Sequence, residues 1–494
     1  MIFRKKKLLN YFILLNVILC NPINYNLDLI SHTQITNASN DYGTSDVWGY
    51  TDETGIEYAI IGYQFGTYIF NVLSEEPELI ADIIGPSSGD YYYHRDYKTF
   101  GDYLYIVNEM YGGDIGMQVI DLSPLPYNPP IQLDTYNQMA QSHNLWIDIE
   151  SELAFIEHQT GDNIHIASLA DPSNPTYAGS FGNQASNCHD IYTKNSIAYI
   201  SEGWSYRFGI YNISNINNII ELASIPCDGY AHNAWLNDAG THLITTEETE
   251  DQTIKIWNIL DLNNITLSGE YLGENSLAHN VHVLNDLLYI SHYSTGLKIV
   301  DIFNPSRPIE VAAYDTYPAS NDGGYIGCWG AYPFTDNGYV YASDMQYGLY
   351  VFNFDNIRAG FVSGHLYFND NVPLINANIQ STLNNQIFTT NGQGYFDFGH
   401  AEGLHDFIIN ENDTIQINIV AHETINQNYY LGNNIMLGDV NNDNIINVLD
   451  IILVVNFIMD ISTPNNQEEL LSDINQDSII NIQDIILIVN LILQ

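Results

Sequence analysis

The strongest constraint on the fold is a unit of about 45 residues that recurs seven times in the first two thirds of the chain. In the copy at 278–302, a polar start precedes alternating residues, a turn at Asn285-Asp286, a strand rich in Tyr and Ile, and the strand Gly296–Ile302. The unit starts again every 43 to 50 residues, at Trp48, His94, His143, His189, His232, His279 and Trp329. Short strands at this period are typical of a β-propeller, and seven copies predict seven blades.

The third strand of the unit recurs with the same period. Its copies are Thr67–Val72, Gly116–Leu122, Asn163–Leu169, Phe208–Ile213, Thr253–Ile259, Gly296–Ile302 and Gly348–Phe352. The seventh copy stops after Phe354, before any outer strand, whereas Leu27–Ile35 precedes the first copy and has the pattern of one. We therefore expect the N-terminal strand to complete the last blade, because closure removes exposed sheet edges.

These motifs resemble the choice-of-anchor B family, whose members carry LVIVD-type repeats. The resemblance rests on three Ser/Ala-His-Asn triplets, on the strand 297–301 and on the late segment Trp329–Pro333; the triplets begin at Ser142, Ala231 and Ala278. It covers Asp46 to Phe354. It implies a secreted or surface-anchored propeller with variable C-terminal attachments, and no established activity.

Two polar columns are predicted to meet at one mouth of the propeller. The second column follows each unit start by 13 to 15 residues, at Gly62, Asn108, His158, Glu202, Glu247, His292 and Asp344. In an antiparallel hairpin the start of one strand lies beside the end of the next, so both columns belong to the same end of each blade. The candidate cluster comprises His94, His143, His158, His189, Glu202, His232, Glu247, His279, His292 and Asp344.

This mixture of imidazoles and carboxylates has three interpretations, and the sequence leaves them open. It suits a transition metal such as zinc, manganese or iron. It equally suits acid–base chemistry. A repeated histidine near a strand start is also a structural device that hydrogen-bonds a neighbouring turn. The aromatic residues are similarly ambiguous, since Tyr91–Tyr93, Trp146, Trp204, Trp235 and Trp329 either form a sugar-stacking platform or pack between blades.

A different pattern begins after Phe354. Short alternating strands at Gly360–Phe368, Pro373–Ile379, Thr389–Phe398 and Ile415–Val420 predict a small β-sandwich. It resembles the carboxypeptidase regulatory-like sandwich, which implies a spacer without catalytic residues.

Two loops near the C-terminus predict calcium binding. They span Asp439–Asp450 and Asp473–Asp484 and place oxygen donors at loop positions 1, 3, 5, 7, 9 and 12, with a backbone carbonyl at position 7. The predicted ligands are Asp439, Asn441, Asp443, Ile445, Asn447 and Asp450 in the first loop, and Asp473, Asn475, Asp477, Ile479, Asn481 and Asp484 in the second. Apolar helices are predicted at Leu449–Met459 and Asp484–Leu493, with no helix entering either loop.

This arrangement is similar to a type I dockerin over Gly438 to Gln494. The resemblance implies calcium-dependent folding and docking to a cohesin on a scaffold or cell surface. The pairs used for partner recognition fall at Val448-Leu449 and Ile482-Gln483, and neither is Ser-Thr, so packing of the dockerin onto its own spacer is the alternative. Position 6 holds Asn444 and Ser478 where the loop favours glycine, which weakens the second site.

Charge and the N-terminal segment indicate export. The chain has 12 basic and 59 acidic residues, a surface that repels nucleic acid and anionic membranes. Arg4–Lys7 and the apolar run Leu8–Leu19 form a signal peptide, too short to be a transmembrane segment, and Cys20 is a candidate lipid anchor. The three later cysteines cannot all pair internally; Cys188 with Cys227 either forms a disulfide or both are buried thiols.

The sequence therefore predicts a secreted, mainly β protein, with cell-surface attachment left open. Its parts are a signal peptide at 1–20, a seven-bladed β-propeller at 26–357, a β-sandwich spacer at 358–434 and a small α-helical dockerin with two calcium ions at 437–494. The leading function is non-enzymatic binding and display of a metal, a glycan or another extracellular ligand. The alternative is a dockerin-delivered enzyme acting on polysaccharide, a glycoside hydrolase or lyase, with its site at the propeller mouth.

Overall fold

The computed structural model describes residues 24–35, 43–73, 76–86, 94–109, 116–157, 164–181, 188–273, 277–320, 323–368, 372–431, 437–441, 443, 445–475 and 477–493. The predicted signal peptide, Cys20, Tyr91–Tyr93, His158 and Asn444 lie outside these residues. No described helix is both long enough and apolar enough to cross a bilayer.

The repeat region consists of small antiparallel sheets of four strands. In chain order the strands are β1 Asp28–Thr33; β2 Thr44–Thr51, β3 Glu57–Tyr63, β4 Gly66–Asn71, β5 Glu78–Ile84; β6 Arg95–Phe100, β7 Tyr103–Asn108, β8 Gln118–Asp121, β9 Ile131–Gln132; β10 Leu145–Asp148, β11 Leu153–Glu157, β12 Ile164–Ser168, β13 Thr176–Phe181; β14 Asp190–Lys194, β15 Ile197–Ser201, β16 Arg207–Asn212, β17 Ile220–Pro226; β18 Ala231–Leu236, β19 His242–Glu247, β20 Ile254–Asn258, β21 Thr266–Tyr271; β22 Val281–Leu284, β23 Leu287–Ser291, β24 Leu297–Asp301, β25 Ile309–Tyr314; and β26 Cys328–Tyr332, β27 Tyr339–Asp344, β28 Gly348–Asn353. Six sheets pair four consecutive strands, β2–β5 through β22–β25, and one has the order β1-β28-β27-β26. Many small sheets of this kind are consistent with a propeller.

The N-terminal strand completes the last sheet, as the sequence predicts. β1 runs antiparallel to β28, with Leu29 opposite Phe352 and Thr33 opposite Leu349. The first strands of successive sheets contact one another from β2 to β26, and β26 contacts β2. The contacts between sheets therefore follow a closed circle.

A recurring polar residue ends the third strand of each unit. In β24 all five residues are buried, and the last of them, Asp301, accepts a hydrogen bond from the backbone N–H of Phe303 at 2.8 Å. In six units the side chain of this residue accepts a hydrogen bond from the backbone N–H two positions later in the chain. The six residues are Asn71, Asp121, Ser168, Asn212, Asn258 and Asp301. Such Asx and Ser turns redirect the chain into the outer strand.

The region after the repeats forms two further sheets around one apolar cluster. Its strands are β29 Ala359–Phe368, β30 Val372–Pro373, β31 Asn378–Ser381, β32 Ile387–Thr389, β33 Tyr395–Ala401, β34 Gly403–Ile409, β35 Asp413–Ile419, β36 Thr424–Asn426 and β37 Tyr429–Tyr430. One sheet has the order β30-β29-β33 with β36 and β37 beside β29, and the other has the order β32-β31-β34-β35. Val362, Leu366, Phe396, Phe407 and Ile417 belong to the buried cluster.

This second module contacts the sheet β22–β25 of the repeat region. The Asp301 carboxylate accepts the N–H of Ala359 at 2.9 Å. Arg307 bonds Asp397 at 2.8 Å, and its guanidinium lies 4.0 Å from the ring centroid of Phe361. Asp301, the last residue of β24, therefore also binds Ala359, the first residue of β29 in the second module.

The C-terminal part contains three helices, α1 Val448–Ile458, α2 Asn466–Ser472 and α3 Ile482–Ile492. Asn447 and Asn481 cap α1 and α3, each paired with the aspartate three residues later in a capping box. The prediction that no helix enters the loops is wrong for the second loop, because α2 ends at Ser472, directly before Asp473. Leu470 of α2 packs against the apolar cluster of the second module.

The three described cysteines are free thiols. Cys188 and Cys328 are buried and Cys227 is half-buried. Burial raises the pKa of Cys227 to about 12, so the thiol is protonated near neutral pH. Of the two interpretations left open by the sequence, the structure shows the unpaired one.

Candidate metal centres

Five histidines and one tryptophan form a closed ring of side chains in contact with one another. The centroids of neighbouring side chains lie 4.0 to 5.2 Å apart around the circuit His94, His143, His189, His232, His279, Trp329 and back to His94. Each residue lies in the first strand of a different sheet or one or two residues before it. They line a cavity of about 20 Å³, which is room for about one water molecule or ion. We name this circuit the histidine ring.

Trp48, the first member of the predicted column, lies outside the histidine ring. It packs against Tyr332 with centroids 4.9 Å apart, and the Lys98 ammonium lies 4.4 Å from its ring centroid. The pairing of β2 with β3 is irregular between Thr44 and Val47, so Asp46 rather than Trp48 lines the ring cavity. A β-bulge re-aims side chains in this way.

Four members of the second column have nearby partners. Glu202 contacts Arg207 and Tyr211, Glu247 contacts Lys255 and the N–H of Gly229, His292 contacts the hydroxyl of Thr295, and Asp344 contacts the hydroxyl of Thr316. These contacts do not include the histidine ring, so the place of the four residues beside the histidines at one mouth stays a prediction.

The carboxylates that do contact the ring follow the second column by one residue. Glu109 lies 3.1 Å from Nδ1 of His143 and 4.0 Å from Nδ1 of His94. Glu248 lies 3.6 Å from Nε2 of His232. Because successive side chains of an extended strand point to opposite faces, a slip of one residue exchanges the two faces. The sequence contained a signal for these two residues, because each glutamate directly follows a member of the second column: Glu109 follows Asn108, and Glu248 follows Glu247.

Most histidines of the ring are neutral. Burial lowers the pKa of His232 and of His279 to about 3, and it holds the pKa of His94 well below its usual range. Burial also opposes the charge on His143, but the hydrogen bond and charge of Glu109 outweigh it and raise the pKa to about 9. Neutral imidazole is the form that binds metal ions.

Part of the polar interior has a structural role. The carboxylate of Asp96 accepts the N–H of Leu145 from the next sheet at 2.7 Å, and Asn233 accepts that of Val281 at 3.1 Å. His279 bonds the carbonyl of Trp329 through Nδ1 at 2.5 Å. The structural interpretation therefore holds for the residues after the histidines and for one nitrogen of His279.

The aromatic residues divide between packing and exposure. Trp146 and Trp235 pack against each other inside the channel with centroids 5.2 Å apart. Trp204 is 67% exposed and packs on Tyr230, whose hydroxyl lies 3.0 Å from Nδ1 of His189. One tryptophan of the suggested platform thus faces solvent beside the histidine ring.

The two C-terminal loops have the same internal geometry. In the first, the carboxylate of Asp450 accepts the N–H of Asn441 at 3.0 Å and that of Asn447 at 2.9 Å, and Asp439 accepts that of Asp443 at 3.0 Å. The carbonyl of Ile445 accepts from the amide of Asn447 at 3.1 Å. These hydrogen bonds bring the predicted donors of the loop close to one another.

The second loop repeats this arrangement. Asp484 accepts the N–H of Asn481 at 2.9 Å, Asp473 accepts that of Asp477 at 3.1 Å, and the Ile479 carbonyl accepts from the amide of Asn481 at 3.0 Å. Asn475 bonds Asp477 at 2.9 Å. A set of oxygen donors only, at this spacing, fits a hard cation such as calcium.

Ser478 at position 6 of the second loop has φ +64°, in the left-handed region where a side chain is strained. We expect Ser478→Gly to stabilise the calcium-bound loop by about 1 kcal/mol, because glycine adopts this conformation without strain. Calcium titration calorimetry of the full chain measures the change as a several-fold gain in affinity at one site. Ser462→Gly, in the segment between α1 and α2, is the control. An unchanged affinity for Ser478→Gly would contradict the argument.

Comparisons with known families match two parts of the chain. The type I dockerin domain model matches residues 437–493, and the LVIVD repeat model matches residues 277–316. The chain therefore contains a dockerin type I domain and an LVIVD repeat. Dockerin domains generally bind calcium and cohesin-type partners, and proteins that carry them are typically extracellular.

Solved structures give weaker likenesses. A functionally unknown protein from Desulfotomaculum acetoxidans is 15% identical, with a TM-score of 0.43, over 57% of this chain and 88% of its own. A chain from the crystal structure of the mitotic checkpoint complex is 11% identical, with a TM-score of 0.48, over 72% of this chain and all of its own. At these scores neither likeness bears on function. None of the curated proteins compared matches the chain.

Proposed function

We propose that this chain is a secreted, non-enzymatic binding and display protein. A seven-bladed β-propeller over 26–357 presents a metal-binding mouth at the histidine ring. A β-sandwich over 358–434 holds it away from a dockerin over 437–494, which binds two calcium ions and attaches the assembly to a cohesin-type partner.

The proposed attachment to a cohesin-type partner is supported by the duplicated loop with matching hydrogen bonds, which is followed each time by an apolar helix. The recognition pairs stand at the start of those helices, and Val448, Leu449 and Ile482 are 61%, 53% and 67% exposed. The contact with the second module is made elsewhere, through Leu470 of α2. Contact with the spacer thus leaves the apolar faces of α1 and α3 for a partner.

The display role of the propeller is supported by the size of the cavity at its histidine ring. About 20 Å³ accommodates an ion or a water molecule and excludes a sugar residue. This favours a metal over the polysaccharide-cleaving alternative at that position. Exposed Trp204 is the feature that supports a glycan ligand at the rim.

Cohesin capture tests the attachment. We expect an immobilised type I cohesin to bind the full chain in calcium and to release it in a chelator. Val448→Asp with Leu449→Asp should weaken capture at least about 30-fold, because buried apolar anchors dominate such interfaces, while aspartate is tolerated at a helix N-terminus. Leu404→Asp, which places the same charge on the exposed surface of the second module, is the matched control. Capture that survives both chelation and the double substitution would refute the proposal.

A further inference from the structure

The histidine ring contains two three-residue clusters built in the same way. The first is His94, Glu109 and His143, and the second is His232, Glu248 and His279. In each, one histidine and the glutamate come from a single sheet, and the second histidine comes from the next sheet. We name them the first and the second trio.

The trios occupy opposite arcs of the ring. His189 separates them on one side, and Trp329 separates them on the other. The glutamates stand at equivalent positions, each one residue after a member of the second column, Asn108 or Glu247. In three other sheets the residue after the second-column member is Gly203, Tyr293 or Met345, none of which carries a carboxylate. Among the described residues, a glutamate at this position thus occurs in the two sheets that supply His94 and His232.

The distances within each trio approach those of a coordinated ion. The donor atoms of each trio lie within 4.8 Å of one another. In a tetrahedral zinc site, ligand atoms at about 2.1 Å from the ion are about 3.4 Å from one another. Side-chain movements on the order of 1 Å therefore bring the atoms into range, and each trio leaves at least one coordination position for water or a ligand.

The first trio also contains a buried nitrogen without a hydrogen-bond partner among the described residues. It is Nδ1 of His94, a residue that is 6% exposed, and it lies 4.0 Å from the carboxylate of Glu109. A buried polar atom without a partner is costly unless something else satisfies it. An ion held between this nitrogen and Glu109 would satisfy it.

The groups around the second trio match those that support metal ligands elsewhere. His279 uses Nδ1 for the carbonyl of Trp329, which orients its Nε2, and the hydroxyl of Tyr293 donates to the carboxylate of Glu248. Ligating histidines commonly bond a carbonyl through the other nitrogen, and ligating carboxylates are themselves hydrogen-bonded.

We propose that the two trios are separate binding sites for divalent transition-metal ions, zinc being the representative ion, with two histidines and one glutamate each. This deepens the proposed display function, on which it rests, by giving the mouth two metal centres. The glutamate of neither trio lines the central cavity of about 20 Å³, so the two ions do not share that space. The nitrogen-containing donor set distinguishes these sites from the all-oxygen calcium loops.

Zinc binding to the full chain tests the proposal. The protein is stripped with a chelator, saturated with calcium to fill the C-terminal loops, and titrated with zinc; metal content is measured after dialysis. We expect two zinc ions per chain, falling to one in Glu109→Gln, to one in Glu248→Gln, and to none in the double variant. Cobalt substitution should give absorption bands that halve in each single variant. Circular dichroism confirms that each variant is folded.

Two further variants make the result decisive. Glu250→Gln removes an exposed carboxylate two residues from Glu248 and should still bind two ions. His189→Ala removes the ring histidine outside both trios and should also bind two. No zinc in the folded protein, two ions in both glutamate variants, or loss of both ions in His189→Ala would overturn the proposal. Cohesin capture is measured on the same samples, so failure of the metal sites and failure of the attachment are read separately.

Discussion

Replacing Asp439 and Asp473 together by alanine will abolish calcium-dependent stabilisation of the C-terminal helices. These residues open the two loops, and each accepts the N–H of the residue four positions later, at 3.0 and 3.1 Å. Without them each site loses a carboxylate ligand, and the remaining acidic side chains no longer surround an ion. At calcium 1,000-fold above the dissociation constant, each lost site removes about 4 kcal/mol of linked stability.

Calorimetric titration of the full chain measures this effect, and hydrogen exchange of α1 and α3 amides locates it. The wild type should show calcium heats and slowed exchange in both helices, and the double variant should show neither. Asp460→Asn, which removes a charge from the same domain outside both loops, should behave as the wild type. Calcium heats of normal size in the double variant would show that the ions bind elsewhere.

Removing Leu27–Ile35 will open the circle of sheets. Without β1, the edge of β28 is unpaired, and the buried side chains Leu27 and Ile35 are lost from the core. Full burial of such side chains contributes about 1.5–3 kcal/mol each, so the loss is roughly 3–6 kcal/mol before the strand hydrogen bonds are counted. We expect a melting temperature lower by about 10 °C or more, and self-association through the exposed edge.

Two point variants separate closure from the mere shortening of the chain. Leu27→Ala, at a site 6% exposed directly before β1, should cost about 2–4 kcal/mol, whereas Leu29→Ala, at a site 41% exposed within β1, should cost less than about 0.5 kcal/mol. Thermal melting measures both. An unaltered melting curve in the deletion variant would show that β1 does not hold the repeat region together.

The local features of this chain followed closely from its sequence. The period of the repeat located every four-stranded sheet of the repeat region, because alternation and turn residues act over a few positions. The third strand expected at Gly296–Ile302 is β24, Leu297–Asp301, and the helix expected at Leu449–Met459 is α1, Val448–Ile458. The two acidic loops could equally be identified from the sequence, since their predicted donors are close together in the chain and their spacing alone brings them near one another.

The composition of the histidine ring depended on register. In β18 the pairing passes from Ala231 to Asn233, and in β26 it passes from Cys328 to Gly330. His232 and Trp329 are therefore the extra residues of β-bulges, which turn them out of the ladder. A bulge adds one residue and changes which side chains share a face, and repeat spacing alone does not specify its position.

The sequence by itself determined the repeated strands, the closing N-terminal strand and the duplicated acidic loops, because each is encoded by residues close together in the chain. Only the tertiary structure decided that Glu109 and Glu248 contact the histidines, whereas Glu202 and Glu247 contact Arg207 and Lys255. Neighbouring residues of a strand face opposite ways, and the register between strands, set by packing across the whole ring, chooses which of them reaches the centre.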